Sequence, residues 1–298
     1  MRAIKKQRIW TFCVFALPAL LIFGYFFFIP FCKTFYYCLT DWNGISKTYN
    51  FVWFQNFKRL LSDEIVWKAL YNNLLFCIIG GILTFGIAIF NAVVITQGNL
   101  REKTFYRIVF YIPNILSTVI VTLLWMFIYN PSFGILNSAL KAIGLEEWAL
   151  LWLGNKSTVV PALIVVWVWM SVGFYMILYI SAIEGIPQDL FEAAALDGAS
   201  EWQKFKSITW PLILETTKTA LVFFFINAFS GVYTLVDIMT EGGPAYSSEV
   251  LTHYMYQQAF RLSDFGYATA IGVFVFILLI IVTGAMLLMT KKKGVTEY

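Results

Sequence analysis

The chain has 298 residues, of which 60% are hydrophobic, 19% aromatic and only 13% charged, with a formal net charge of +4. A soluble domain is roughly 45–50% apolar and 25% charged, so water is excluded as the main solvent. The basic residues sit at the borders of apolar runs, a distribution that reports membrane topology rather than nucleic-acid binding.

The apolar runs are each about 20 residues long and continuous, which predicts an all-α, polytopic helical bundle and not a β-barrel of short alternating segments. Residues 1–8 form a basic N-terminus with Arg2, Lys5, Lys6 and Arg8. The first apolar run, Ile9 to Phe31, is too long for a signal core and is followed by no small-residue cleavage site, so it is expected to stay as a span. The pattern places about six spans, near 9–32, 70–95, 107–129, 158–183, 213–236 and 267–290. Together they make a transmembrane domain over 9–290, followed by a tail over 291–298 that begins with Lys291 to Lys293.

An even number of spans returns both termini to one side. Arg101, Lys103 and Arg107 in the second connector, Lys204 and Lys206 in the fourth, and the two basic termini mark that side as cytoplasmic. The opposite connectors carry Trp42, Trp53, Trp67, Trp148 and Trp152, expected as headgroup anchors. Pro18, Pro30 and Pro113 fall inside or at the ends of spans, where neighbouring helices can absorb a kink. Cys13, Cys32, Cys38 and Cys77 lack CxxC spacing and nearby ligands and read as small apolar residues.

The spans hold almost no ionisable side chains. Their polar residues are neutral: Asn91, Asn114, Ser117, Thr118, Ser171, Asn227 and Ser230. An ion-coupled carrier needs acids, bases or histidines at membrane depth, so that class loses ground. No GxxxxGK[ST] loop is present to cradle phosphates, so energy for active transport would come from a partner. His253, the lone histidine, has no paired nucleophile or HExxH helix and is expected at a solvent-facing or interface position.

The connector 184–211 is written as two short helices around a hinge. Gly185 closes the preceding span, Pro187 suits the first position of a new helix, and Asp189 complements its N-terminal dipole. Gly198 offers a left-handed stop, Ser200 with Gln203 forms a capping-box pattern, and Pro211 is expected to end the second helix. A first helix over Pro187 to Asp197 is too short to stand alone in water, where about 12–15 residues are marginal. It must dock, either beneath its own bundle or on another protein.

The run Glu192-Ala193-Ala194-Ala195-Leu196-Asp197-Gly198-Ala199, followed by Phe205, Ile208 and Pro211, resembles the EAA motif of permeases of binding-protein-dependent ABC importers. Phe51 to Phe57, Gly134 to Asn137 and Thr240 to Pro244 are similar to loop signatures of the carbohydrate branch, the maltose and glycerol-phosphate type. Trp210 and Glu215 depart from the motif, which usually has Leu and a second proline there. The resemblance covers essentially the whole chain. It implies the type I permease fold, no catalytic residue or cofactor in this chain, and ATPase coupling through Glu192, Ala193, Ala194, Asp197 and Gly198. It further implies two ATPase subunits that bind ATP and Mg, a second permease that is a distinct homologue, an extracytoplasmic substrate-binding protein, and a bacterial inner-membrane location. An ion-coupled secondary carrier and a non-transporting membrane scaffold are the alternative classes.

For the substrate path, Asn227, Ser230, Tyr233 and Thr234 recur at i, i+3, i+6 and i+7 on the fifth span. Trp167, Ser171 and Phe174 make a second stripe on the fourth, with aromatic faces suited to a sugar ring. Neutral polar residues also bond helix to helix in membranes, so packing is the competing reading.

Overall fold

Residues 2–98 and 100–290 are described by the structure, a computed structural model. The side chains of the two basic termini lie outside the described residues. The helices are α1 (Trp10–Tyr37), α2 (Gln55–Ser62), α3 (Glu64–Gln97), α4 (Lys103–Ile115) and α5 (Thr118–Ile128). They continue with α6 (Ile135–Ala142), α7 (Val159–Glu184), α8 (Gln188–Leu196), α9 (Glu201–Met239), α10 (Leu251–Tyr256) and α11 (Phe265–Leu288). The only β pairing among the described residues is an isolated bridge, Thr40 to Phe51.

Helices α1, α3, α7, α9 and α11 are each long and apolar enough to cross a membrane. The expected third span is not one helix. It breaks between α4 and α5 with a bend of 97°, and six crossings result only if this bent pair is one span. Pro113 removes a backbone donor inside α4, and Leu116 and Ser117 then turn extended, at ψ 144° and 134°. Helices α7 and α11 match their expected spans within two residues, whereas α1, α3 and α9 run past theirs by up to twelve, because local widening to π-helix lets the chain continue through its weak points. Such turns lie at Gly24–Phe28 ahead of Pro30, at Phe76–Gly80 within α3, and at Phe205–Thr209 just before Pro211. Pro211 therefore does not end a helix: α9 runs through it for 39 residues.

Two compact units divide the chain, Met1–Asp63 with Met255–Ile277, and Glu64–Tyr254 with Leu278–Tyr298. In the first, no residue in the most apolar window of α1 is buried by protein, as suits a helix apolar on every side in lipid. The connector after α1 is closed by polar clips. The Asp41 carboxylate accepts from Asn50 N–H at 2.6 Å and Nδ2 at 3.0 Å, and Asn56 Nδ2 donates to the carbonyls of Cys38 and Thr40. Arg59 pairs with Asp264 at 2.5 Å and lies 3.8 Å over the ring of Tyr267, whose hydroxyl donates to Asp63. Trp42, expected as a headgroup anchor, donates to Ser46 O at 3.0 Å and stacks on Tyr37.

The second unit is built around α7, which is apolar all round and accordingly central: 72% of its most apolar window is buried. Phe85 of α3, Tyr175 of α7 and Phe224 of α9 meet edge-on with ring centroids 5.0–5.7 Å apart. Glycines let neighbouring helices approach closely, against a side chain at Gly81 and against backbone at Gly173. A Cβ on Gly81 would lie 3.2 Å from Phe224, and one on Gly173 would run into the Phe110 carbonyl of α4. Trp152, another expected anchor, donates to Asn137 Oδ1 at 2.8 Å and closes the loop after α6.

Candidate functional site

Two places in the second unit gather the residues singled out by sequence. The first is the segment between α7 and α9. Gly185 caps α7 at an ordinary φ of −77°, and Pro187 is the N-cap of α8 rather than its first residue. At the other end Gly198 is left-handed at φ +75°, with Gly198 N–H on Ala195 O at 3.1 Å and Ala199 N–H on Ala194 O at 2.9 Å. Those two bonds make a Schellman stop. Ser200 and Gln203 then form a capping box that opens α9. No residue of α8 is buried, Leu196 is 90% exposed, and Glu192, Ala193, Asp197 and Gly198 are exposed with Ala194 half-buried. A nine-residue helix with only Phe191 and Ala194 partly buried and Leu196 in the open has little packing of its own to hold it.

The second is a cavity of ≈ 350 Å³ lined by Asn114, Leu116 and Thr118 at the α4–α5 break, by Trp167, Met170, Ser171, Phe174 and Tyr175 of α7, and by Asn227 and Gly231 of α9. Gly231 leaves its floor open, since a Cβ there would stand 3.2 Å from the Trp167 ring and 3.4 Å from Asn227 Oδ1. Asn227 Nδ2 is spent on Phe223 O, one turn back. The Trp167 indole N–H is buried and has no hydrogen-bond partner. The lining holds no acid, base or histidine.

Four of the seven residues read as a substrate path, Trp167, Ser171, Phe174 and Asn227, thus share one cavity. Ser230, Tyr233 and Thr234 lie outside its lining. Tyr233 and Thr234 follow a turn at Gly231 and Val232 that takes them off the face Asn227 occupies, whereas Ser230 precedes that turn. Ser230 Oγ donates to Ile226 O at 2.8 Å, and the Tyr233 ring lies 5.9 Å from that of His253. The wall made by the α4–α5 break was not assigned to the path from sequence. Its signal was there in Pro113-Asn114 followed by Ser117-Thr118, a helix breaker amid small polar residues at membrane depth.

His253 also differs from expectation. It is fully buried, with Nδ1 2.6 Å from Glu249 and Nε2 3.2 Å from Asp237. Glu249 is equally buried, so the two need each other, as buried ionisable groups do. The Glu249 carboxylate lies against Gly242 of the Thr240–Pro244 loop, and Asn72 fixes the residues that follow that loop by donating to the Ser247 and Glu249 carbonyls at 2.9 Å each.

The chain matches, over residues 99–293, the family of inner membrane components of binding-protein-dependent transport systems. It is 35% identical to the diacetylchitobiose uptake system permease protein NgcF of Streptomyces coelicolor, over 98% of this chain and 86% of that one. It is 31% identical to the multiple sugar-binding transport system permease protein MsmF of Streptococcus mutans, over 98% of each. Its fold superposes with a TM-score of 0.81, at 26% identity and over 97% of this chain and 98% of the other, on a chain of a bacterial alginate ABC transporter in complex with an alginate pentasaccharide-bound periplasmic protein. A membrane bundle with a broken span, an uncharged cavity and an exposed short helix between two spans, matched over most of its length in this way, belongs to the family of inner membrane components of binding-protein-dependent transport systems.

Proposed function

We propose that this chain is the permease subunit of an ATP-driven importer for a neutral sugar or oligosaccharide. The observation that carries the reading is the chemistry of the cavity. Aromatic faces from Trp167, Phe174 and Tyr175 stand beside the amides of Asn114 and Asn227 and the hydroxyls of Thr118 and Ser171. Rings of that kind stack on the apolar face of a sugar, and neutral donors and acceptors suit its hydroxyls without demanding a charge. The unpartnered indole N–H of Trp167 is costly to bury unless a ligand meets it. Two relatives named for sugar uptake favour the same class.

Energy enters at the other site. The α8 helix, with Glu192, Ala193, Ala194, Asp197 and Gly198, docks in a separate ATPase subunit, and two such subunits hold ATP and Mg. A second, homologous permease completes the path, and an extracytoplasmic binding protein delivers the substrate. Both termini face the cytoplasm of a bacterial cell. ATPase closure moves α8, and the cavity changes the side to which it opens.

The test uses the assembled importer in proteoliposomes with ATP inside and labelled diacetylchitobiose or maltotriose outside. Asn227→Ala and Trp167→Ala are expected to lower uptake while leaving assembly intact, and unchanged affinity and rate in both would discard the cavity. A Glu192→Lys, Gly198→Pro variant is expected to insert normally and release the ATPase. Uptake driven by an ion gradient in the absence of ATP would overturn the reading.

A further inference from the structure

We infer that the ion pair between Arg107 and Glu184 is a strut that carries motion of the coupling segment into the broken third span, which makes both of them positioning residues for transport. The inference rests on the reading of α8 as the ATPase dock. Glu184 is the last residue of α7, four positions before α8 begins, so any pull on α8 reaches it first. Its carboxylate is paired with Arg107 of α4. A carboxylate at a helix C-terminus faces the negative end of the dipole and is disfavoured there. The Arg107 cation offsets that, which ties the end of α7 to the foot of α4.

Helix α4 is the lever. From Arg107 to Asn114 is seven residues, about 10 Å of helix, and at the far end Asn114, Leu116 and Thr118 form one wall of the cavity. Between those points α4 lies against α7 with backbone in contact at Gly173, so a push at its foot is not absorbed by soft side chains. Lys103 at its start donates to Thr96 O of α3 at 2.7 Å. The far end of the coupling segment is tied elsewhere: Gln97 Nε2 of α3 donates to Thr209 Oγ1 at 2.9 Å. The two ends of the segment are therefore fastened differently: the Glu184 end is paired directly with α4, whereas the Thr209 end reaches α4 only through α3.

The segment also has room to move. A polar cavity of ≈ 360 Å³ separates it from the bundle, with Gln188, Phe191 and Lys204 on one side and Thr96, Gln97 and Glu184 on the other. A segment packed solid against its own helices would have no such space. A part-exposed pair adds little to stability. Its worth here lies in which helix it connects, and a change of charge reads that directly.

The experiment uses the full importer complex in liposomes, with the four cysteines of this chain replaced by serine and Thr118→Cys as a reporter. Labelling of position 118 by a membrane-impermeant maleimide is timed with and without ATP, Mg and vanadate, beside ATP hydrolysis and co-purification of the ATPase. Arg107→Glu and Glu184→Arg are each expected to keep the ATPase bound and hydrolysing. The ATP-dependent change in labelling should fall about fivefold, the factor that ~1 kcal/mol represents. The double swap should restore it. An undiminished labelling change in the single variants overturns the inference, and so does a swap that behaves like the singles. Loss of the ATPase from either single that the swap does not recover overturns it as well, because the pair would then belong to the dock. Failure of the docking reading itself shows separately, as an ATPase that stays bound to the Glu192→Lys, Gly198→Pro variant.

Discussion

Gly173→Ala is a one-carbon test of how the broken span is seated. A Cβ at position 173 would collide with the Phe110 carbonyl oxygen, and would stand 2.8 Å from Tyr111 Cα and 3.0 Å from the Phe110 carbonyl carbon. These are backbone atoms, so no rotamer change relieves them. Bringing Tyr111 Cα from 2.8 Å to the 3.4 Å of ordinary contact parts the helices by at least about 0.6 Å, and the nearer Phe110 carbonyl oxygen asks for more. Overpacking of this size costs about 1–3 kcal/mol. The separation also stretches the bond from Asn114 Nδ2 to Met170 O, already 3.4 Å, which is worth about 0.6 kcal/mol in a membrane. Gly86→Ala is the control, since a Cβ there meets nothing within 4 Å. Reversible unfolding of the purified chain in mixed micelles should place Gly173→Ala about 1–3 kcal/mol below the parent and Gly86→Ala within about 0.5 kcal/mol of it. Equal stability of the two alanine variants would refute the argument that backbone contact holds α4 on α7.

Asn73→Ala removes a fully buried amide that donates to Ala228 O at 2.8 Å and accepts from Leu251 N–H at 3.0 Å. Both backbone groups are left unpaired, so the same unfolding assay should show a loss of about 1–3 kcal/mol for each. Asp41 gives a pH test. The Asn50 side chain, and after it the Asn50 backbone N–H, hold the Asp41 carboxyl below its ordinary value. The ionised form is therefore favoured in the folded loop. Its contribution is complete above the unfolded value of about 3.9 and is lost as the pH falls through the lower folded value. A nitroxide at Lys47→Cys should become more mobile across that acid window, and the same response in an Asp41→Asn background would remove Asp41 as the cause.

Helices were legible because their causes are local. The capping box at Ser200 and Gln203 and the left-handed Gly198 are each written in two or three residues, and each stands where the sequence places it. Pro113 and Pro211 misled because the response to a missing N–H depends on what surrounds it. A π turn lets α9 pass Pro211, whereas the third span breaks three residues after Pro113 and its two halves separate by 97°. The signatures outside the segment 184–211 turned out to be clips. Asn56 closes the loop after α1, Asn137 the loop after α6, and Ser248 donates to Thr240 Oγ1 and Gly243 O to fold the loop at Thr240–Pro244. The burial of His253 was out of reach, since its carboxylate partners come from the end of α9 and from the following loop. Periodicity along one helix says nothing of such a meeting.

The uncharged cavity has a consequence for where selection occurs. Asn114, Thr118, Ser171, Asn227 and the indole N–H of Trp167 can each make a hydrogen bond worth about 1 kcal/mol net, so five of them supply roughly 5 kcal/mol. That is a dissociation constant of roughly 0.1–1 mM. Weak binding favours release to the cytoplasm and does little to distinguish one sugar from another. Under the proposed function, then, the extracytoplasmic binding protein must raise the local sugar concentration at the cavity and choose its identity, as a tethered partner does through effective concentration. Substitutions lining the cavity should alter the rate for every accepted sugar by similar factors, while substitutions in the delivering protein should alter which sugars are accepted. A cavity variant that reversed the order of preference between diacetylchitobiose and maltotriose would place selection in this chain and end the argument from weak, neutral contacts.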